Sequence, residues 1–189
     1  MDTKLRTTVF YHIYNRGNNR ENIFIEERNY SHFLRLYTEK VVPVVDTFAY
    51  CLLKNHFHLL IRVKDAPQGD SASQKFSNFY NAYTKAINQV YQRTGALFQH
   101  PFQRKAIESN RHYLALIAYI HFNPQKHGFI DDYREWPYSS YQALLAKSST
   151  RLAREQVLKA YGGPEGFLDY HAKQDLATLE NILSPEDLV

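Results

Sequence analysis

Tyr50-Cys51-Leu52-Leu53-Lys54-Asn55-His56-Phe57-His58-Leu59-Leu60-Ile61-Arg62-Val63 is the stretch that decides the fold. Two apolar runs rich in Val, Ile, Leu and aromatics meet at Lys54-Asn55, which predicts two strands with a tight connection. Just past the turn, His56 and His58 stand two apart. Alternate side chains on a strand share a face, so both imidazoles point the same way and could hold one metal ion. A histidine pair in a half-buried strand serves structure as readily as ligation, and this spacing by itself leaves both open.

Working outward, Thr7 to Tyr14 carries β-branched and aromatic residues and predicts a first strand. Asn15-Arg16-Gly17-Asn18-Asn19-Arg20 then has turn composition. It is either a solvated connection or a phosphate-contacting loop, since Arg16 and Arg20 can each make paired contacts to phosphate oxygens. A helix is predicted from Glu26 to Val41, with Tyr30, Phe33, Leu34, Tyr37 and Val41 at helical spacing. Strands over Val44–Leu53 and His56–Val63 follow, then a polar loop over Lys64–Ser73 and a helix from Gln74 to Arg93. Leu97 to Ile107 reads as an extended segment ending in a fourth strand, where Arg104 and Lys105 could meet a DNA backbone. A third helix from Asn110 to Phe122 should stop at Asn123-Pro124, because proline cannot continue it. The order β-α-β-β-α-β predicts an α+β, ferredoxin-like antiparallel sheet with helices on one face, followed by an additional helix.

At 189 residues and 44% hydrophobic content, the chain is long enough for one domain with a proper core. Lys147-Ser148-Ser149-Thr150 marks a boundary between a domain over 1–146 and a helical extension over 147–189. No apolar run approaches the roughly 20 residues that cross a bilayer, and Met1-Asp2-Thr3-Lys4 lacks a signal-peptide stretch, so a cytoplasmic protein is expected. One cysteine, Cys51, excludes an internal disulfide and a cysteine-based zinc cluster. A net charge of +4 leans towards nucleic acid without demanding it.

The third helix supplies the other half of a candidate site. Tyr119 and Asn123 are four apart and share a face, whereas Tyr113 lies about 120° away and clusters with Leu116, Ile117 and Ile120 as core. From the helix alone, Tyr119 is equally a packing residue at its edge, and Asn123 a helix-terminal residue before proline. Beside His56 and His58 the set acquires chemical sense. Two imidazoles and an amide oxygen give a divalent ion three ligands and leave positions for phosphate oxygens, which a tyrosine hydroxyl could then attack. A phenol with a pKa near ~10 needs such help at neutral pH.

Four stretches together resemble the single-tyrosine HUH transposases, and among them the REP-associated tyrosine transposases. They are Tyr14-Asn15-Arg16-Gly17 with Ile23-Phe24, Tyr50 to Leu60, Tyr119-Ile120-His121-Phe122-Asn123-Pro124, and Trp136-Pro137-Tyr138-Ser139-Ser140-Tyr141. The resemblance covers residues 7–146. It implies that His56 and His58 bind Mg²⁺ or Mn²⁺, with Asn123 completing the set, and that Tyr119 is the nucleophile. Single-stranded DNA would be cleaved to a 5′-phosphotyrosine and a free 3′-hydroxyl, which can later rejoin strands without ATP. The implied partner is single-stranded DNA carrying imperfect hairpins, with Arg16 and Arg20 suited to reading backbone and shape. The family includes dimers that lend the tyrosine helix to a partner and a REP-associated kind expected to be monomeric, so monomer and homodimer both stand.

Two other functions compete. A non-catalytic nucleic-acid module on the same sheet would stack bases on strand aromatics, whereas here the corresponding strand presents a histidine pair. A metal-dependent nuclease using water would leave Tyr119 as packing; covalent attachment to DNA separates it from a transposase.

Overall fold

The computed structural model describes residues 5–65, 71–99 and 101–188. The sheet holds β1 (Phe10–Arg16), β2 (Val45–Leu53), β3 (His56–Val63) and β4 (Gln103–Ala106), in the order β2-β3-β1-β4 with every pair antiparallel. Helices α1 (Glu27–Lys40) and α2 (Ala72–Val90) complete the ferredoxin-like order. Then come α3 (Asn110–Lys126), α4 (Tyr141–Leu145), α5 (Arg154–Ala160), α6 (Pro164–Lys173) and α7 (Leu176–Ile182). The starting residues Met1 to Lys4 and the Pro-Gly tip of the loop before α2 lie outside the described residues.

Strand alternation sorts the sheet into two faces. Phe57, Leu59, Ile61 and Val63 of β3 join Phe33, Tyr37, Phe76, Phe79 and Tyr83 of α1 and α2 in one core. Leu60, with Cys51 and Leu53 of β2, joins Leu116, Ile117 and Ile120 of α3 in another. A bulge in β2 between Thr47 and Ala49 shifts the phase, so Val45 faces the first core while Cys51 and Leu53 face the second. The expectation of helices on one face therefore holds for α1 and α2 only. The other face is covered by α3 and by Val157, Phe167, Leu179 and Leu183 from α5, α6, α7 and the turn after it.

Three boundaries differ from expectation. The first strand begins at Phe10 and runs on to Arg16, so Arg16 sits in the sheet and only Asn18–Arg20 form the turn. Gly17 between them is packed so closely that a Cβ there would lie 1.9 Å from the Glu21 carbonyl oxygen, which requires glycine. The fourth strand is four residues long and lies near the end of the expected extended segment, whose first residues, Leu97-Phe98, are buried and pinned to the β1 end through Asn18 N–H to the Leu97 oxygen (2.8 Å). The third helix runs through Pro124 to Lys126. Proline removes one backbone donor and does not end the helix here; Asn123 and Pro124 are both buried within it.

Candidate functional site

The hairpin of β2 and β3 brings His56 and His58 onto the face under α3. Directly opposite on β1 stand Arg16, paired with His56, and Tyr14, paired with His58. His56 and His58 are buried, with ring centroids 5.3 Å apart and planes nearly perpendicular. Tyr119 descends from α3 so that its ring lies 6.0 Å from that of His58. It is wholly buried, which excludes the edge position left open by the sequence.

Each candidate ligand has one polar atom fixed and one open. His56 donates Nδ1–H to Asn55 Oδ1 at 2.7 Å, which leaves a lone pair on Nε2. His58 uses Nδ1 against His12 Nε2 at 3.0 Å. Asn123 donates Nδ2–H to the Tyr119 carbonyl oxygen at 2.8 Å, which turns Oδ1 the other way. His56 Nε2, His58 Nε2 and Asn123 Oδ1 are all buried and make no well-aligned hydrogen bond, although Asn123 lies close enough to His56 to favour its protonated form slightly against burial. Orphaned buried polar atoms are costly, and three of them on these residues are what a cation-binding set requires. Among the described residues no three His, Cys, Asp or Glu side chains are grouped to hold a metal.

Both imidazoles are held neutral. Burial pushes His56 down to about 3, helped by the positive charges of His127, Arg16 and Lys126. Burial also drives His58 well below the ordinary histidine range, with His12 and His56 adding to it. Neutral imidazole is the form that ligates a metal.

The phenol has a partner of its own. Lys126 donates Nζ–H to Tyr119 Oη at 2.9 Å and sits 4.8 Å from the ring centroid. Glu180 of α7 grips the same ammonium at 2.9 Å. Burial works against the lysine charge, but the bonds to Tyr119 and Glu180 outweigh it and raise its pKa.

The basic residues singled out in the sequence divide. Arg16 reaches the site beside His56, with Nε buried and lacking a hydrogen bond. Arg20 is exposed in the turn at φ 62°, away from the imidazoles. Arg104 lies over the Phe102 ring at 5.1 Å, and Lys105 donates to Asp187 at 3.0 Å. Sequence reasoning missed His12, Asp187 and Lys126. His12 had a signal, being at period two with Tyr14 and Arg16 on one strand face. Lys126 is two helical turns beyond Tyr119, but ending the helix at Pro124 hid it. Asp187, near the end of the chain, had none.

No family model matches the chain. Two curated proteins do. A Haemophilus influenzae protein provisionally named a REP-associated tyrosine transposase is 26% identical over 105 residues, covering 51% of this chain and 58% of that protein. An Escherichia coli REP-associated tyrosine transposase is 26% identical over 100 residues, covering 52% and 56%. This chain is similar to REP-associated tyrosine transposases. It spans just over half the length of the curated relatives it matches. A solved REP-associated tyrosine transposase bound to a REP hairpin has the same fold, with a TM-score of 0.61 at 19% identity, covering 78% of this chain and 84% of that one. No described helix is long and apolar enough to cross a membrane.

Proposed function

We propose that the protein cleaves and rejoins single-stranded DNA at hairpin-flanked sites through a 5′-phosphotyrosine on Tyr119. The observation that carries this reading is the neighbouring pair of buried imidazoles, His56 and His58, each with Nε2 lacking a well-aligned partner, beside a buried tyrosine whose hydroxyl is hydrogen-bonded by a lysine. Mg²⁺ or Mn²⁺ held there would supply charge to a phosphodiester's oxygens. The chain's own groups do the rest. Lys126, hydrogen-bonded to Tyr119 Oη, holds the hydroxyl in place for attack. Tyr119 Oη loses its proton as it attacks phosphorus, the bond to the 3′-oxygen breaks, and that oxygen takes up a proton, so the strand keeps a free 3′-hydroxyl and no net proton is consumed. The phosphotyrosyl ester conserves the diester, so the reverse attack by a 3′-hydroxyl restores Tyr119 and joins strands. Arg16, beside His56 at the end of β1, is placed to steady a strand by its backbone. Because Tyr119 has no exposed surface, side chains over it must move before a phosphodiester reaches it.

Fold and relatives favour this over a base-stacking module, since helices cover both faces of the sheet and leave no open sheet platform. The solved neighbour bound to a REP hairpin supports a hairpin substrate, and the protein is read as acting in the cytoplasm as a monomer or homodimer. The test is a denaturing gel with Mn²⁺ and labelled single-stranded hairpins from beside the gene. Wild type should give a covalent band that a chelator abolishes and that Tyr119→Phe lacks. Nicking by Tyr119→Phe without a covalent species would point to a water-using nuclease instead. Binding without cleavage by either protein would favour the non-catalytic module.

A further inference from the structure

The histidine that sequence reasoning passed over lies between the candidate site and the far end of the chain. His12 Nδ1 is 3.0 Å from Asp187 Oδ1, and His12 Nε2 is 3.0 Å from His58 Nδ1. All three side chains are fully buried, and His12 and Asp187 lie 175 positions apart in the sequence. The His12 and His58 rings are 20° from parallel with centroids 5.2 Å apart.

Asp187 divides its oxygens. Oδ2 receives Lys105 Nζ at 3.0 Å and Ser184 Oγ at 2.9 Å, and His112 Nε2 also stands 3.0 Å from it. Oδ1 faces His12 alone among these groups. Anchoring the end of the chain is served by Oδ2, and the bond to His12 is left over from that task.

Donor and acceptor rules then run in one direction. An ionised carboxylate only accepts, so His12 Nδ1 must carry the proton. A His58 that ligates through Nε2 carries its proton on Nδ1, so His12 Nε2 accepts and the one N–H of His12 is the one facing Asp187. His58 Nδ1 donates, and its Nε2, the buried atom with no partner, keeps the lone pair.

We infer that Asp187, acting through His12, fixes His58 as the Nδ1–H tautomer and aims its Nε2 lone pair into the candidate metal site. His12 and Asp187 are positioning residues, the outer partners that orient a ligating imidazole. The inference deepens the proposed function and rests on it for the identity of His58 as a ligand.

The test replaces one atom. In Asp187→Asn, the amide oxygen stays with the donors Lys105 and Ser184, so the NH₂ group faces His12. It donates to Nδ1, His12 Nε2 becomes the donor, and His58 is forced into the Nε2–H tautomer that cannot ligate. Ring nitrogens of ¹⁵N-histidine-labelled, metal-free full-length protein report each tautomer, and Mn²⁺ titration followed by electron paramagnetic resonance reports affinity. The expected results are His58 protonated at Nδ1 in wild type, protonated at Nε2 in Asp187→Asn, and Mn²⁺ affinity weakened by roughly 10- to 100-fold in the variant. Ser184→Ala, which loosens the chain end without touching Oδ1, should leave tautomer and affinity as in wild type. A proton on His58 Nε2 in wild type overturns the relay without any variant. So does an unchanged tautomer in Asp187→Asn, or a Ser184→Ala protein weakened equally. If wild type shows the Nδ1–H form and the variant flips it while neither binds Mn²⁺, the relay stands and the metal site of the proposed function falls.

Discussion

At the scale of the residue, the site trades stability for a function. His56 Nε2, His58 Nε2 and Asn123 Oδ1 are buried without well-aligned partners, each a cost that an apolar side chain of similar size would avoid. His56→Leu should therefore leave the metal-free protein within about 1 kcal/mol of wild type, or above it, in urea unfolding while Mn²⁺ binding disappears. A loss of several kcal/mol would make His56 a structural histidine. Lys126 bears on rate. If its hydrogen bond orients the Tyr119 hydroxyl for attack, Lys126→Met should slow formation of the covalent DNA adduct on the order of 10²-fold while hairpin binding is retained. An unchanged single-turnover rate would confine Lys126 to packing against Glu180 and the tyrosine ring.

At the scale of the element, β3 shows what a sequence discloses. Period two on one strand sends Phe57, Leu59 and Ile61 to one core and His56, His58 and Leu60 to the opposite face. Phe57→Ala should cost about 3–5 kcal/mol in chemical unfolding, because Phe57 is fully enclosed among Phe33, Tyr80 and Phe98. That alternation made the sheet, its order and the histidine pair legible, as helical spacing did for Tyr119 and Asn123. Local rules failed where tertiary packing overrode them. Pro124 continues α3 because the helix is buried around it. Val90, an apolar residue at the last position of α2, is 56% exposed, since the buried face ends before the helix does. Asp187 is coupled to His12 across nearly the whole chain, a contact no window of sequence contains.

At the scale of the molecule, two cores share one sheet, and the helices after residue 147 belong to the second. Cooperative unfolding in one transition is the expected calorimetric behaviour; a separate early transition would detach α5 to α7 from that core. Acid should act before the carboxylates titrate. His171 is buried against His121 and the Phe167 carbonyl, and burial lowers it to about 4. An unfolded histidine titrates near about 6.5, so between those values the unfolded chain takes up a proton that the folded chain refuses. Stability is thus unaffected by this group above about pH 6.5 and falls as pH drops towards 4, on the order of 3 kcal/mol at roughly 1.4 kcal/mol per pKa unit. Asp187 acts later. Burial alone would raise it, but His112, His12 and Lys105 hold its carboxyl well below the ordinary range, so its stabilisation is full at neutral pH and lost only below about pH 3.9. Urea unfolding at pH 7 and pH 4.5 measures the histidine part; equal midpoints would contradict it.

The most direct measurement is to map the covalent bond. Wild-type protein is incubated with Mn²⁺ and a cleavable hairpin, digested with trypsin and nuclease, and the adduct is located by tandem mass spectrometry. The peptide from His112 to Lys126 holds two tyrosines, Tyr113 in the core and Tyr119 at the site. A nucleotide joined through its 5′-phosphate to Tyr119 is the predicted result. A nucleotide on Tyr113 or elsewhere, or cleaved DNA with no modified peptide, would contradict the assignment of Tyr119 as the nucleophile.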